Sequence, residues 1–320
     1  MNIPDRVITR KVDMLVIYKT IGALFALLGV ASMIGNILDA KPNLSDLKQR
    51  ILSWWLILPL FSLALVINGP IFLILLAFIS FMGLKEFISS IPTGQIDRKI
   101  IFILYLAIPI QYILVWYHSL ALTYFIPLYM FLFIGFMAVI TGKIKGMLVS
   151  VATLYWGLVL TVYCMSYVGY LSTLPSSTIY PAGGAGVVLY LIVLTQLNDV
   201  AQYCWGKLLG GRKIIPNVSP NKTMAGFVGG VTTISLLSIP LGAIFVSLNP
   251  LLALFAGLIV AVSGFFGDVL LSIVKRDLEI KDFSSFIPAH GGMLDRVDSL
   301  IVSAPLFYQF LNIIHSGGHV

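Results

Sequence analysis

Ten long apolar runs constrain this chain more than any other feature. They cover residues 14–38, 51–67, 70–88, 100–117, 119–140, 147–171, 185–205, 225–246, 250–274 and 297–314. A helix of about 20 apolar residues spans the roughly 30 Å hydrocarbon core of a bilayer. Inside that core every backbone N–H and C=O must be satisfied within the protein, which favours helices. The expected fold is therefore all-α: a polytopic helical integral membrane protein of roughly nine to ten transmembrane helices. Composition excludes the soluble alternative, because only 10% of residues are charged where soluble domains carry about 25%. We read one membrane domain over 1–320: N-terminal helices over 1–195, a core segment over 196–298, and a last helix and tail over 299–320. No internal repeat emerges, so an inverted-repeat transporter gains no support.

The net charge of +7 does not point to nucleic acid, because the basic residues sit in short loops between apolar runs. Lys41, Lys48 and Arg50 precede the second run, Arg98 and Lys99 the fourth, and Lys143 and Lys145 the sixth. Lys207, Arg212, Lys213 and Lys222 follow the seventh; Lys275, Arg276, Lys281 and Arg296 follow the ninth. The alternate loops carry no Lys or Arg, so the positive-inside rule places the basic loops in the cytoplasm. The first run departs from this alternation. Both its flanks are basic and Lys19 lies within it, which leaves open a snorkelling lysine, a re-entrant segment or an external N-terminus. It is too long for a signal-peptide core and reads as a retained membrane segment. Cys164 and Cys204 suggest neither a disulfide framework nor a thiolate metal site.

Polar residues in so apolar a chain mark where chemistry belongs. Asp268, in GFFGDVLLS, is a carboxylate at membrane depth and a functional candidate by default. An ion pair with Lys275 or Arg276, two turns on, is its structural alternative. Gly264 and Gly267 thin the helix wall beside it, where something else must approach. Asp295 and Asp298 are three apart, so they share a helical face. With Asp268 they offer the hard oxygen ligands that Mg²⁺ accepts, although helix N-terminal acids have the same spacing. Asn198 and Asp199, with Gln196 and Gln202, serve either a helix–helix hydrogen-bond network or nucleotide and metal contacts.

The stretch from Ser219 to Gly230 reads as a turn at Pro220 and Asn221 followed by a helix start capped by Thr223 or Ser219. Backbone N–H groups there, with the charge of Lys222, make a phosphate cradle, although Walker A spacing is absent. Gly226 and Gly230 form a small-xxx-small pair suited to helix packing. His290, Gly291 and Gly292 make a sharp turn able to approach a phosphate. No histidine cluster has metal-ligand spacing, and no nucleophile–base arrangement is present.

These residues resemble a family signature. Ser272-Ile-Val-Lys275-Arg276, then Lys281-Asp282, then Pro288-Ala-His290-Gly291-Gly292-Met-Leu-Asp295-Arg296-Val-Asp298 is similar to the signature of the CDP-diacylglycerol synthases, or phosphatidate cytidylyltransferases. Asn198-Asp199 and Ser219-Pro220-Asn-Lys222-Thr223 resemble that family's second motif. Ala225 stands where the family usually has an acid, and Gln202 lies in a run that departs from its usual Ala-Tyr pattern.

The resemblance implies that phosphatidate attacks the α-phosphorus of CTP and displaces pyrophosphate. A phosphomonoester has its second pKa near ~6, so the nucleophile needs no strong base. The reaction does need charge neutralisation by metal ions and cationic side chains. The resemblance assigns Asp268, Asp295 and Asp298 to Mg²⁺, with a second cation compatible, and Lys222, Lys275, Arg276 and Arg296 to phosphates. Asn198, Asp199, Ser219, Thr223, Lys281, Asp282, His290, Gly291 and Gly292 complete the expected substrate site. Its partners would be CTP, a membrane lipid and the bilayer, and the family allows a homodimer. The expected location is a bacterial inner membrane with the site facing the cytoplasm. A CTP-dependent transferase for an isoprenoid phosphate or alcohol is the first rival, and a non-enzymatic transporter or scaffold the second.

Overall fold

The computed structural model describes residues 3–37, 45–67, 69–91, 98–118, 124–142, 146–284 and 291–316. Eleven α-helices occupy these residues, and the apolar runs account for all of them. They are α1 (Ile3–Ile37), α2 (Ser45–Ile67), α3 (Pro70–Ser90), α4 (Arg98–Trp116), α5 (Phe131–Thr141), α6 (Met147–Leu158), α7 (Met165–Ser172), α8 (Gly183–Leu209), α9 (Met224–Phe245), α10 (Pro250–Asp277) and α11 (Leu294–Ser316). A π-helical turn, Phe125–Met130, leads into α5, and another, Val159–Cys164, joins α6 to α7. Seven helical stretches among the described residues are long and apolar enough to cross a membrane, and three shorter apolar ones accompany them. This fits the expected polytopic helical membrane protein. α1 runs as one continuous helix past Lys19, so the described part of the first run contains no re-entrant turn.

One small departure from all-α concerns the site. β1 (Lys213–Ile215) and β2 (Ser219–Thr223) form an antiparallel hairpin, with Lys213 opposite Thr223 and Ile215 opposite Ser219. Pro220 and Asn221, expected in the turn, therefore lie in a strand; the turn is 216–218, closed by Val218 N–H donating to the Ile215 carbonyl at 3.2 Å. The reason is local. Pro216 holds the turn, while the peptide after Pro220 continues extended into the cap of α9. Thr223 does cap α9, accepting from Gly226 N at 3.1 Å.

Small residues decide how closely α8 to α11 pack. Lipid gives apolar helices little reason to pair, so close backbone approach and hydrogen bonds determine the pairs. Gly226 and Gly230 of α9 leave room for Gln202 of α8, where any Cβ would clash. Gly257 of α10 accepts Ser238 of α9, whose hydroxyl donates to the Ala253 carbonyl at 2.5 Å. Gly267 of α10 meets the backbone at Asp298 of α11. The expectation that Gly264 and Gly267 thin a helix wall thus finds its occupants: Asn198 and Ser299 at Gly264, and Asp298 at Gly267.

Candidate active site

The two basic segments, expected on one side of the membrane, meet at one end of the α8–α11 unit. Lys222, just before α9, forms an ion pair with Asp268 of α10. Arg276, in the last turn of α10, donates from Nε to the Val218 carbonyl at 3.2 Å. Lys222 Nζ also lies 4.6 Å from the centroid of the Phe265 ring, an attraction between the cation and the ring face. The partner of Asp268 is thus Lys222, not the Lys275 or Arg276 on its own helix.

Lys275 pairs elsewhere. Its Nζ stands 2.8 Å from Asp295 Oδ1, while Asp295 Oδ2 accepts from Phe283 N at 3.2 Å and Gly292 N at 3.0 Å. The bond to Gly292 reaches back three residues, as the acidic half of a capping box does. Both oxygens of this buried carboxylate are therefore engaged by the chain. Asp295 and Asp298 do lie one turn apart on α11, yet Asp298 faces a different set of groups.

That set contains Asp199, Asp268 and Asp298. Ser299 Oγ lies 3.4 Å from Asp199 Oδ2 and 3.5 Å from Asp298 Oδ1, so the two carboxylates share one hydroxyl. Asp298 Oδ1 also accepts from Ser299 N at 2.7 Å. Asp268 repels both carboxylates, while Lys222 and Arg296 attract Asp199 and Lys275 attracts Asp298. Asn198 donates from Nδ2 to the Ala261 carbonyl at 3.1 Å, as a helix–helix hydrogen bond. Its Oδ1 is buried and unpartnered. Carboxylate oxygens beside an orphaned amide oxygen fit a divalent cation in donor type. As the side chains stand, however, no three Asp, Glu, His or Cys residues among those described form a metal-binding group. The expected trio is divided: Asp268 and Asp298 stay in the cluster with Asp199, and Asp295 is committed to Lys275 and two backbone N–H groups.

The remaining candidates divide by exposure. Arg296 and Lys281 are exposed and make no ion pair among the described residues. Asp282 lies against Gly291, where a Cβ would be 3.3 Å from Asp282 Oδ1. Gly291 takes a φ of 77°, the left-handed conformation that favours glycine. Ser219 serves the hairpin and Thr223 the cap. His290, Lys41, Lys143 and Lys145 lie outside the described residues.

A model of the cytidylyltransferase family matches residues 48–314. The chain belongs to that family. It is a family of nucleotidyltransferases, and membership sets aside the non-enzymatic rival. The chain is 42% identical over 301 residues to "Uncharacterized protein YnbB" of Escherichia coli (strain K12), covering 92% of this chain and 97% of that one. It is 42% identical over 133 residues to a phosphatidate cytidylyltransferase of Chlamydia pneumoniae, covering 40% of this chain and 43% of the relative. A phosphatidate cytidylyltransferase of Mycobacterium leprae (strain TN) is 30% identical over 154 residues, covering 48% and 49%. The match therefore spans about half the length of these named cytidylyltransferases.

The sequence-based set omits Glu86 of α3, a buried carboxylate that accepts hydrogen bonds from Ser284, Met293 and Leu294. The signal was available, since an acid within the apolar run 70–88 is unusual at membrane depth.

Proposed function

We propose that this family member is a phosphatidate cytidylyltransferase: it transfers CMP from CTP to phosphatidate, giving CDP-diacylglycerol and pyrophosphate. The observation that carries the reading is the juxtaposition of the Asp199–Asp268–Asp298 cluster with Lys222, Lys275, Arg276 and Arg296 at one end of four membrane helices. Two polyanions must be held together there, and fixed cations lower that cost most where water is scarce. The relatives named phosphatidate cytidylyltransferase support the same substrate pair.

In this reading a phosphate oxygen of the lipid forms the new bond to the α-phosphorus, and the bond to the pyrophosphate oxygen breaks. Arg296 and Lys281, exposed and without an ion pair among the described residues, meet the incoming phosphates. Lys222 and Lys275 hold the carboxylates on either side of the seam and add positive charge to it. A bound Mg²⁺, with Asp268 and Asp298 as carboxylate ligands and Asp199 beside them, would neutralise phosphate charge. The basic loops support a site on the cytoplasmic side, and the bacterial relatives favour an inner membrane.

The deciding experiment incubates the purified protein with labelled CTP, Mg²⁺ and either phosphatidate or a polyprenyl phosphate. The expected products are CDP-diacylglycerol and pyrophosphate from phosphatidate. Product only with the polyprenyl phosphate would transfer the reading to an isoprenoid substrate.

A further inference from the structure

The helix carrying Asp295, Arg296 and Asp298 begins without a cap of its own. α11 follows His290-Gly291-Gly292-Met293, a stretch with no Ser, Thr, Asp or Asn to accept its first N–H groups. The acceptor comes from α3. Glu86 Oε1 accepts from Met293 N at 2.9 Å and Ser284 Oγ at 2.6 Å, and Oε2 accepts from Leu294 N at 2.8 Å. The carboxylate is 4% exposed, and its charge sits at a helix N-terminus, where an anion is stabilised. A Cβ added at Gly292 would lie 2.6 Å from Glu86 Oε2. The glycine thus admits the carboxylate. Beside this tie, Ser90 Oγ, one turn further along α3, donates to the Glu86 carbonyl at 2.8 Å and lies 3.4 Å from the Phe283 carbonyl.

We propose that Glu86 is a positioning residue for cytidylyl transfer, anchoring Ser284 and the start of α11 to α3 so that Asp295, Arg296 and Asp298 present their side chains in register with α10. The activity readout rests on the function proposed above; a structural readout stands apart from it. Glutamine is not a neutral replacement, because it has one acceptor oxygen and its amide would direct N–H groups toward an N–H or hydroxyl already donating.

The test compares wild type with Glu86→Gln, Glu86→Ala, Ser284→Ala, Gly292→Ala and Glu86→Ala/Gly292→Ala. Two readouts are followed: steady-state CDP-diacylglycerol formation, and trypsin cleavage after exposed Lys281 relative to cleavage after Arg212. Glu86→Gln should lower kcat by about 10- to 100-fold with KM for CTP within about threefold, and speed cleavage after Lys281 several-fold. Ser284→Ala, which loses one of the three bonds, should lower kcat by only a few-fold and serves if Glu86→Gln cannot be recovered folded. Gly292→Ala should impair kcat alone but add little to Glu86→Ala, because its damage acts through the carboxylate. Additive losses would instead assign Gly292 to substrate, and would overturn the proposal. Unchanged kcat and cleavage in both Glu86→Gln and Ser284→Ala would overturn it too. If the wild type forms no CDP-diacylglycerol, the functional reading fails, and the cleavage comparison alone decides the role of Glu86.

Discussion

Lys275 Nζ lies 2.8 Å from Asp295 Oδ1, and this ion pair joins the last turn of α10 to the first turn of α11. The two side chains are only 14% and 4% exposed. Removing one partner of such a pair leaves a charge without compensation in a poorly solvated place. Asp295→Asn should therefore cost about 3 kcal/mol and lower the thermal unfolding midpoint in detergent by several degrees. The double change Lys275→Met/Asp295→Asn should recover part of that loss. A midpoint unchanged by Asp295→Asn would show that the pair holds nothing.

Metal dependence should separate Asp268 from Asp295. Chelation should abolish CMP transfer, and Asp268→Asn should raise the Mg²⁺ concentration for half-maximal activity by on the order of tenfold. The residual activity of Asp295→Asn should titrate with Mg²⁺ as wild type does, since its oxygens already serve Lys275, Phe283 and Gly292. Equal shifts in both variants would return Asp295 to the metal.

Two neighbouring glycines of α10 should behave oppositely. A Cβ at Gly267 would run into the Asp298 carbonyl oxygen, whereas at Gly264 it would meet Asn198 Nδ2 at an ordinary 3.6 Å. Gly267→Ala should push α11 off its register, costing about 1–3 kcal/mol and most of the activity. Gly264→Ala should be close to neutral, helped by the better helix propensity of alanine. Thermal midpoints and initial rates of the two variants check this; similar values for both would refute it.

Topology gives an independent check. Ser177 and Asn217 flank the single span α8, Gly183–Leu209. Single cysteines at these positions, with Cys164 and Cys204 replaced, should react with an impermeant maleimide from opposite sides of the membrane. Labelling from the same side would break the cytoplasmic site.

Much of the site can be read from the chain because membrane burial makes polar residues rare and therefore informative. Asp268 was conspicuous among apolar neighbours, and Lys222, Asp295 and Asp298 stood out as charges flanking long apolar runs. The Thr223 cap was legible because it depends on contacts three residues apart. The hairpin turn was misplaced by a few residues because Pro216 and Pro220 are both turn formers, and strand pairing chose between them.

Pairing across helices was not legible. Hydrophobic run length and local residue order suffice for the helical, membrane-type segments, the basic loops between them and the family signature. Packing alone brings Lys222 to Asp268, Lys275 to Asp295, and Glu86 to the start of a helix more than two hundred residues away. Helices that are apolar nearly all round carry no stripe to announce which face turns toward which neighbour. Their rotation is decided by glycine contacts and a few buried hydrogen bonds, and those exist only after the helices have packed.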